Sequence, residues 1–289
     1  MAKLKESIQE KPSFTIKDLK SSLPPSKNRA DSVWTRYVLR PLSYPFSLFF
    51  LRLGWSANRV SYFSALVAVI GGLLLCLPSV KLQLLGAMLL NVFAILDCVD
   101  GNIARFTHTT GPGGAWADAL GGYVAYTATL LGAGMASEIT SYTLYSSIPK
   151  IVDILWPRGG LWVLLGGVAA SCNLLMRLAH QHYRALKAEA LLRESHLFQP
   201  KETIAGKAKA GQSHEGEEEV FEADTEAEGE GSPSLEKRIS ENLGVTGLLM
   251  PALFVCVYTQ TTGLLVLFYC LLYGGGAFFS LFRLARKIR

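Results

Sequence analysis

Charge is scarce in this sequence: Asp, Glu, Lys and Arg make up 18% of it, against roughly 25% in ordinary soluble domains. Half of the residues are hydrophobic and the mean hydropathy is positive, so the scarcity excludes an ordinary soluble domain and indicates an integral membrane chain. Cysteines are few as well. All five (Cys76, Cys98, Cys172, Cys256 and Cys270) lie in apolar stretches without CxxC spacing or a matching His cluster. They read as small hydrophobes, which argues against a disulfide framework or a thiolate metal site. A Walker loop, a dinucleotide fingerprint, an HExxH pair, a Ser/His/Asp arrangement and an internal repeat are also missing. Residues 1–33 have no apolar core of the kind a signal peptide needs. They are polar, rich in Lys and Ser, and carry Pro24-Pro25, which predicts a loosely ordered cytoplasmic tail.

The net charge of +5 hides a segregation. Lys and Arg crowd the two ends and residues 177–209, while nine acids fall between 215 and 230. Charge therefore reports topology rather than a nucleic-acid partner. Between Trp34 and Gly54, Arg36, Arg40 and Arg52 alternate with Tyr37, Leu39, Leu42, Tyr44, Phe46, Leu48, Phe49, Phe50 and Leu53. This is the pattern of an amphipathic interfacial helix, its apolar residues in the headgroup boundary and its arginines on lipid phosphate. A helix half-buried on the bundle is the alternative.

Six apolar runs of about the length a bilayer demands follow, near 59–79, 81–104, 114–136, 160–182, 243–261 and 263–284. The expected fold is thus an all-α integral membrane protein with six transmembrane helices after an amphipathic helix. Its expected parts are a tail (1–33), the juxtamembrane helix (34–54), four spans (55–190), an acidic disordered cytoplasmic loop (191–242), and two spans with a basic tail (243–289). The longest outer loop is expected near 137–159. Basic residues flank the spans on one side, at 105–113, 183–242 and both ends, which puts both termini in the cytoplasm.

Within these apolar runs stand three acids, Asp97, Asp100 and Asp118. A lone ionised Asp at the centre of a membrane helix costs about 2.5–3.5 kcal/mol even on the lenient insertion scale, so three together call for a bound cation or a proton pathway. On a helix, Asp97, Asp100, Gly101, Ala104 and Arg105 share one face at the end of the second span. Two carboxylates a turn apart suit a hard divalent metal, Gly101 and Ala104 leave room for a ligand, and Arg105 suits a phosphate. Gly114 and Asp118 repeat the arrangement on the next helix, where Asp118 would close a metal cage. The alternative is buried ion pairing with Arg105 or Arg177, with the glycines serving helix packing alone. Arg177, with His180 and Arg184 at i+3 and i+7, is placed to meet a phosphate-bearing acceptor or anionic lipid.

The pattern Asp97-x2-Asp100-Gly101-x2-Ala104-Arg105-x8-Gly114-x3-Asp118 resembles the signature of the CDP-alcohol phosphotransferases. Ser56-Ala-Asn58-Arg-Val-Ser61 is similar to that family's Thr-Pro-Asn-x-Val-Thr. The resemblance implies a six-helix membrane enzyme, a homodimer, that moves a phosphoryl-linked group from a CDP-activated lipid or alcohol to an alcohol acceptor and releases CMP. It implies one or two Mg2+ or Mn2+ ions on Asp97, Asp100 and Asp118, with Asn58, Gly101, Ala104, Arg105 and Gly114 holding the CDP moiety. One position departs. The family motif ends in a fourth Asp, a metal ligand and general base, where this chain has Gly122. His108, in the following loop, is the nearest replacement base, and a surface role is the plainer reading for it. A general base contributes 10²–10⁴-fold, or roughly 3–5.5 kcal/mol. Two other readings stand beside the transferase: a non-catalytic homologue that still binds CDP-lipid and metal, and an ion or proton carrier.

Overall fold

The computed structural model describes residues 15–145, 159–197 and 242–288. All regular elements among them are helices: α1 (Ile16–Ser21), α2 (Pro25–Ala30), α3 (Arg40–Arg52), α4 (Ala57–Leu75), α5 (Val80–Phe106), α6 (Pro112–Tyr145), α7 (Leu161–Leu197), α8 (Met250–Tyr258) and α9 (Thr262–Ile288). Short π-helical turns, Thr35–Leu39 and Val245–Leu249, lead into α3 and α8. A helix covers each of the six expected apolar runs. Four helices (α4, α5, α7 and α9) are long and apolar enough to cross a bilayer, and α8 is a shorter apolar helix. The protein is membrane-embedded.

The helix ends follow from local chemistry. Thr15 caps α1 in a reciprocal box with Asp18, whose carboxylate accepts from the Thr15 amide at 3.0 Å. That bond, with the Thr15 hydroxyl, holds the exposed Asp18 carboxyl below its ordinary pKa. Gly54 ends α3 in the left-handed region (φ 70°). There the Trp55 amide reaches back to Phe50 O at 3.0 Å and the Gly54 amide to Leu51 O at 3.0 Å, a Schellman closure. The Trp55 and Phe50 rings seal it, with centroids 5.1 Å apart. Ser56 caps α4, and Pro78 punctuates the short turn between α4 and α5.

The described residues fall into two units. The first holds residues 15–132 and 242–260. Its core joins α3, α4 and α5 through Phe50, Ala57, Val60, Val67, Leu96, Val99 and Ile103. Farther along, α4 and α5 cross backbone to backbone: a Cβ added to Gly86 would lie 2.5 Å from Gly71 O. Without water to drive association, close packing of small residues is what holds membrane helices together. Asn91 Nδ2 donates to Met250 O (3.0 Å), fixing α8 on α5, and Tyr126 OH accepts from the Val245 amide (3.0 Å). In the second unit α7 packs along α9. Glu138 accepts from the Gly160 and Trp162 amides at 2.6 and 3.2 Å, capping α7 across the sequence.

Several sequence expectations change. Residues 15–33 are not a loose tail: α1 and α2 form there, and Leu19 is 1% exposed against α3 and α5. Residues 1–14 lie outside the described set. The helix α6 continues through the start of the outer loop expected at 137–159, because Ser137, Ile139 and Thr140 carry no breaker. The helix α7 runs past 190 to Leu197, and the acidic loop beyond it lies outside the described residues. The interfacial helix departs from expectation at Arg36 and Arg40, while Arg52 is exposed. Leu42, Phe46, Phe49 and Leu53 face outward, while Arg40, Ser43 and Ser47 are buried. Arg40 is paired inside the protein rather than free for lipid phosphate, and Arg36 donates to the Asn28 and Arg29 carbonyls.

Candidate functional site

Three helices of the first unit bring the predicted residues together. Asn58 and Ser61 come from α4, Asp97, Asp100, Gly101, Ala104 and Arg105 from α5, and Gly114, Asp118 and Gly122 from α6. The approach of α6 to α4 is close at two glycines. A Cβ on Gly114 would touch Asn58 Oδ1 at 3.6 Å, and one on Gly121 would lie 3.8 Å from Ser61 O. Asp118 falls on the turn between them. Asp97, Asp100 and Asp118 are near enough for the charge of each to act on the others.

The carboxylates differ in surroundings. Asp100 is 4% exposed, and the buried Ser61 hydroxyl donates to its Oδ2 at 2.5 Å. Asp118 is exposed. Lys27 of α2 and Arg40 act on Asp97 from the N-terminal side. Arg105 lies over Gly101: a Cβ there would meet Nη1 at 3.1 Å and Nη2 at 3.2 Å. Gly101 thus keeps clear the backbone surface that the guanidinium covers. Arg105 Nη2 donates to Asn102 Oδ1 at 3.0 Å, while its Nε is buried with no hydrogen-bond partner. A buried cationic donor left unpaired is costly, and this edge of the guanidinium carries that cost in the described structure.

Residues that the sequence reading did not assign to the site surround this arginine. Arg40, 5% exposed, forms a buried ion pair with Asp31 (Nε to Oδ2, 2.7 Å) and donates to Asn102 Oδ1. Burial works against the charge of Arg40, but the Asp31 bond and the nearby negative groups outweigh it and hold the guanidinium above its ordinary pKa. Lys27 Nζ is 3.6 Å from the other Asp31 oxygen. The usable signal was the spacing of Arg40, Ser43 and Ser47 at i, i+3 and i+7, one polar stripe on an otherwise apolar helix.

No group of three or more His, Cys, Asp or Glu among the described residues converges tightly enough to hold a metal ion. The donor chemistry nevertheless suits a hard cation: the acids of α5 and α6 offer carboxylate oxygens, and none of the seven defined motif positions is a Cys or His, Cys98 being an intervening residue. A Cβ on Gly122 would meet nothing within 4 Å. The Cβ position of residue 122 is therefore open space. His108 is exposed in the turn after α5 with φ 52°, its amide donating to Arg105 O at 3.3 Å. Arg177 belongs to the second unit, on α7, where its Nε donates to Asn173 Oδ1 at 3.2 Å. Its neighbour His180 hydrogen-bonds Ser280 of α9 at 2.5 Å.

Compared with known protein families, residues 55–199 match CDP-alcohol phosphatidyltransferase, half of the 289-residue chain and all of the α4–α6 site. The chain belongs to the CDP-alcohol phosphatidyltransferase family. No curated protein matches the chain. The family places it among the transferases of phospholipid synthesis, with a CDP-alcohol as donor and an alcohol as acceptor.

Proposed function

We propose that this CDP-alcohol phosphatidyltransferase binds a CDP-activated donor, CDP-diacylglycerol or a CDP-linked polar alcohol, in the α4–α6 site and transfers its phosphoryl-linked group to an alcohol with release of CMP. The observation that supports the reading is that Asp97, Asp100 and Asp118, from two neighbouring helices, lie near enough for their charges to act on one another, on the α5 helix that also carries Arg105 with its buried, unpaired Nε and on α6. Asp97, Asp100 and Asp118 would hold one or two Mg2+ or Mn2+ ions. A bound divalent ion neutralises the donor diphosphate as phosphorus is attacked. Ser61 fixes one Asp100 oxygen and so orients the other toward the ligand side. Asn58, Gly101, Ala104 and Gly114 would hold the nucleotide, and Arg105 would meet phosphate. The site faces the cytoplasm along with both termini, six helices span the membrane, and the chain pairs as a homodimer. Arg177 contacts lipid or acceptor phosphate.

Proton transfer from the attacking hydroxyl is the weak step, because Gly122 supplies no base. The chain then turns over slowly, or it binds donor and metal without turnover. The open space at Gly122 favours this second reading specifically. Metal-dependent CMP release from CDP-diacylglycerol and CDP-alcohols, with a panel of alcohol acceptors, tests the first. Release that is unchanged by Asp97→Ala sinks it, and binding without release under any acceptor favours the second.

A further inference from the structure

Asn102 lies between the interfacial helix and the site, 1% exposed, with all four hydrogen-bonding positions of its amide occupied. Its Oδ1 accepts from Arg40 Nη1 at 3.1 Å and from Arg105 Nη2 at 3.0 Å. Its Nδ2 donates to Ser43 Oγ at 2.9 Å and to Ser47 Oγ at 3.1 Å. Each serine has one hydroxyl hydrogen, and both are committed: Ser43 donates to Arg40 O at 2.9 Å and Ser47 to Ser43 O at 2.8 Å. Toward Asn102 the two serines can only accept. That fixes the amide orientation, for a flipped amide would face two guanidiniums with its own NH2 and two acceptor oxygens with its carbonyl.

The two arginines on Oδ1 are not equivalent. Arg40 is neutralised by Asp31, whereas Arg105 takes part in none of the described ion pairs; its Nη atoms lie over Gly101 and its Nε is unpartnered. A neutral acceptor at 102 anchors the Arg105 guanidinium without consuming its charge. A carboxylate there would pair with it.

We propose that Asn102 is a positioning residue, oriented by Ser43 and Ser47 of α3, which holds Arg105 charged and unpaired for the diphosphate of the donor. This rests on the CDP-donor reading above. It ties the polar stripe of the interfacial helix to donor affinity, a link that the motif residues alone do not contain.

The test is CDP binding to the full chain in detergent with Mg2+, measured by calorimetry alongside thermal unfolding. Asn102→Asp keeps shape and adds the pairing charge. It is expected to weaken CDP about tenfold or more, the scale of one charge-assisted hydrogen bond, in protein that still shows a cooperative unfolding transition, at a Tm lowered because its second oxygen faces the two accepting serines. Placed in an Arg105→Gln background, the same substitution is expected to add less than about twofold, because its effect passes through that arginine. Equal weakening in both backgrounds, or unchanged affinity in the folded Asn102→Asp protein, overturns the proposal. Should Asn102→Asp not fold, the Ser43→Ala/Ser47→Ala pair frees the amide to flip and is expected to weaken CDP in an Arg105-dependent way; affinity that is unchanged, or falls equally without Arg105, overturns the proposal equally. If the unsubstituted chain binds no CDP with metal, the donor reading itself fails, and the inference with it.

Discussion

At position 122 a glycine faces open space on a helix whose other site residue, Asp118, is one turn away. Because an added Cβ meets nothing within 4 Å, Gly122→Asp should be tolerated by the fold. If the missing carboxylate limits turnover, the substitution raises metal-dependent CMP release by roughly 10²–10⁴-fold, the range of a positioned general base; an unchanged rate would show that proton transfer is handled elsewhere. Gly101 predicts the opposite effect. An alanine there pushes against Arg105 Nη1 and Nη2, the free end of a flexible side chain, so the fold survives while the guanidinium moves. Donor KM should rise several-fold with kcat little changed, a split read from initial rates at varied CDP-alcohol. Removal of the Ser61 hydroxyl by Ser61→Ala leaves the buried Asp100 oxygen without its donor, and a higher metal concentration for half-maximal activity is expected.

Between elements, the buried Arg40–Asp31 pair joins the segment after α2 to α3, and Asn102 extends it to α5. Breaking a buried pair by removal of one partner typically costs about 3–5 kcal/mol, since the other charge stays unpaired. Asp31→Ala should therefore lower the unfolding temperature in detergent sharply, whereas Lys27→Ala, on the exposed side of the same carboxylate, should lower it little. The Glu138 carboxylate does comparable work in the second unit. Glu138→Ala strips the cap from α7 and should cost about 1–2 kcal/mol, visible as faster amide exchange in the first turn of that helix. These are also the places where the sequence was least legible. The six apolar runs announced their helices, because length and hydropathy are local quantities. The pairing of Arg40 was hidden, because an arginine in an amphipathic segment reads equally well toward lipid or toward the protein. Only its partners, Asp31 and Asn102, 9 and 62 residues away, decide the direction. Likewise α1 was masked by its polar composition, and the single buried Leu19 docks it.

Over the whole molecule, the motif spacing was enough to place Asp97, Asp100, Gly101, Ala104 and Arg105 on one helix and Gly114 and Asp118 on the next. Helical geometry turns spacings of three and four residues into one face, and the x8 turn returns the chain to the same end of the bundle. What spacing could not convey is the unequal solvation of the acids, Asp100 buried on Ser61 and Asp118 exposed, which depends on how closely α4 and α6 approach. The membrane reading makes its own prediction: the protein should remain with membranes through an alkaline wash and leave them only in detergent, as four long apolar helices require. The central claim, a metal-assisted CDP-donor site on Asp97, Asp100, Asp118 and Arg105, is tested most directly by titrating CDP into the purified protein with and without Mg2+ or Mn2+. The account predicts saturable binding that needs the metal and is lost in Asp97→Ala. Binding that is indifferent to both the metal and Asp97, or no binding at all, would contradict it.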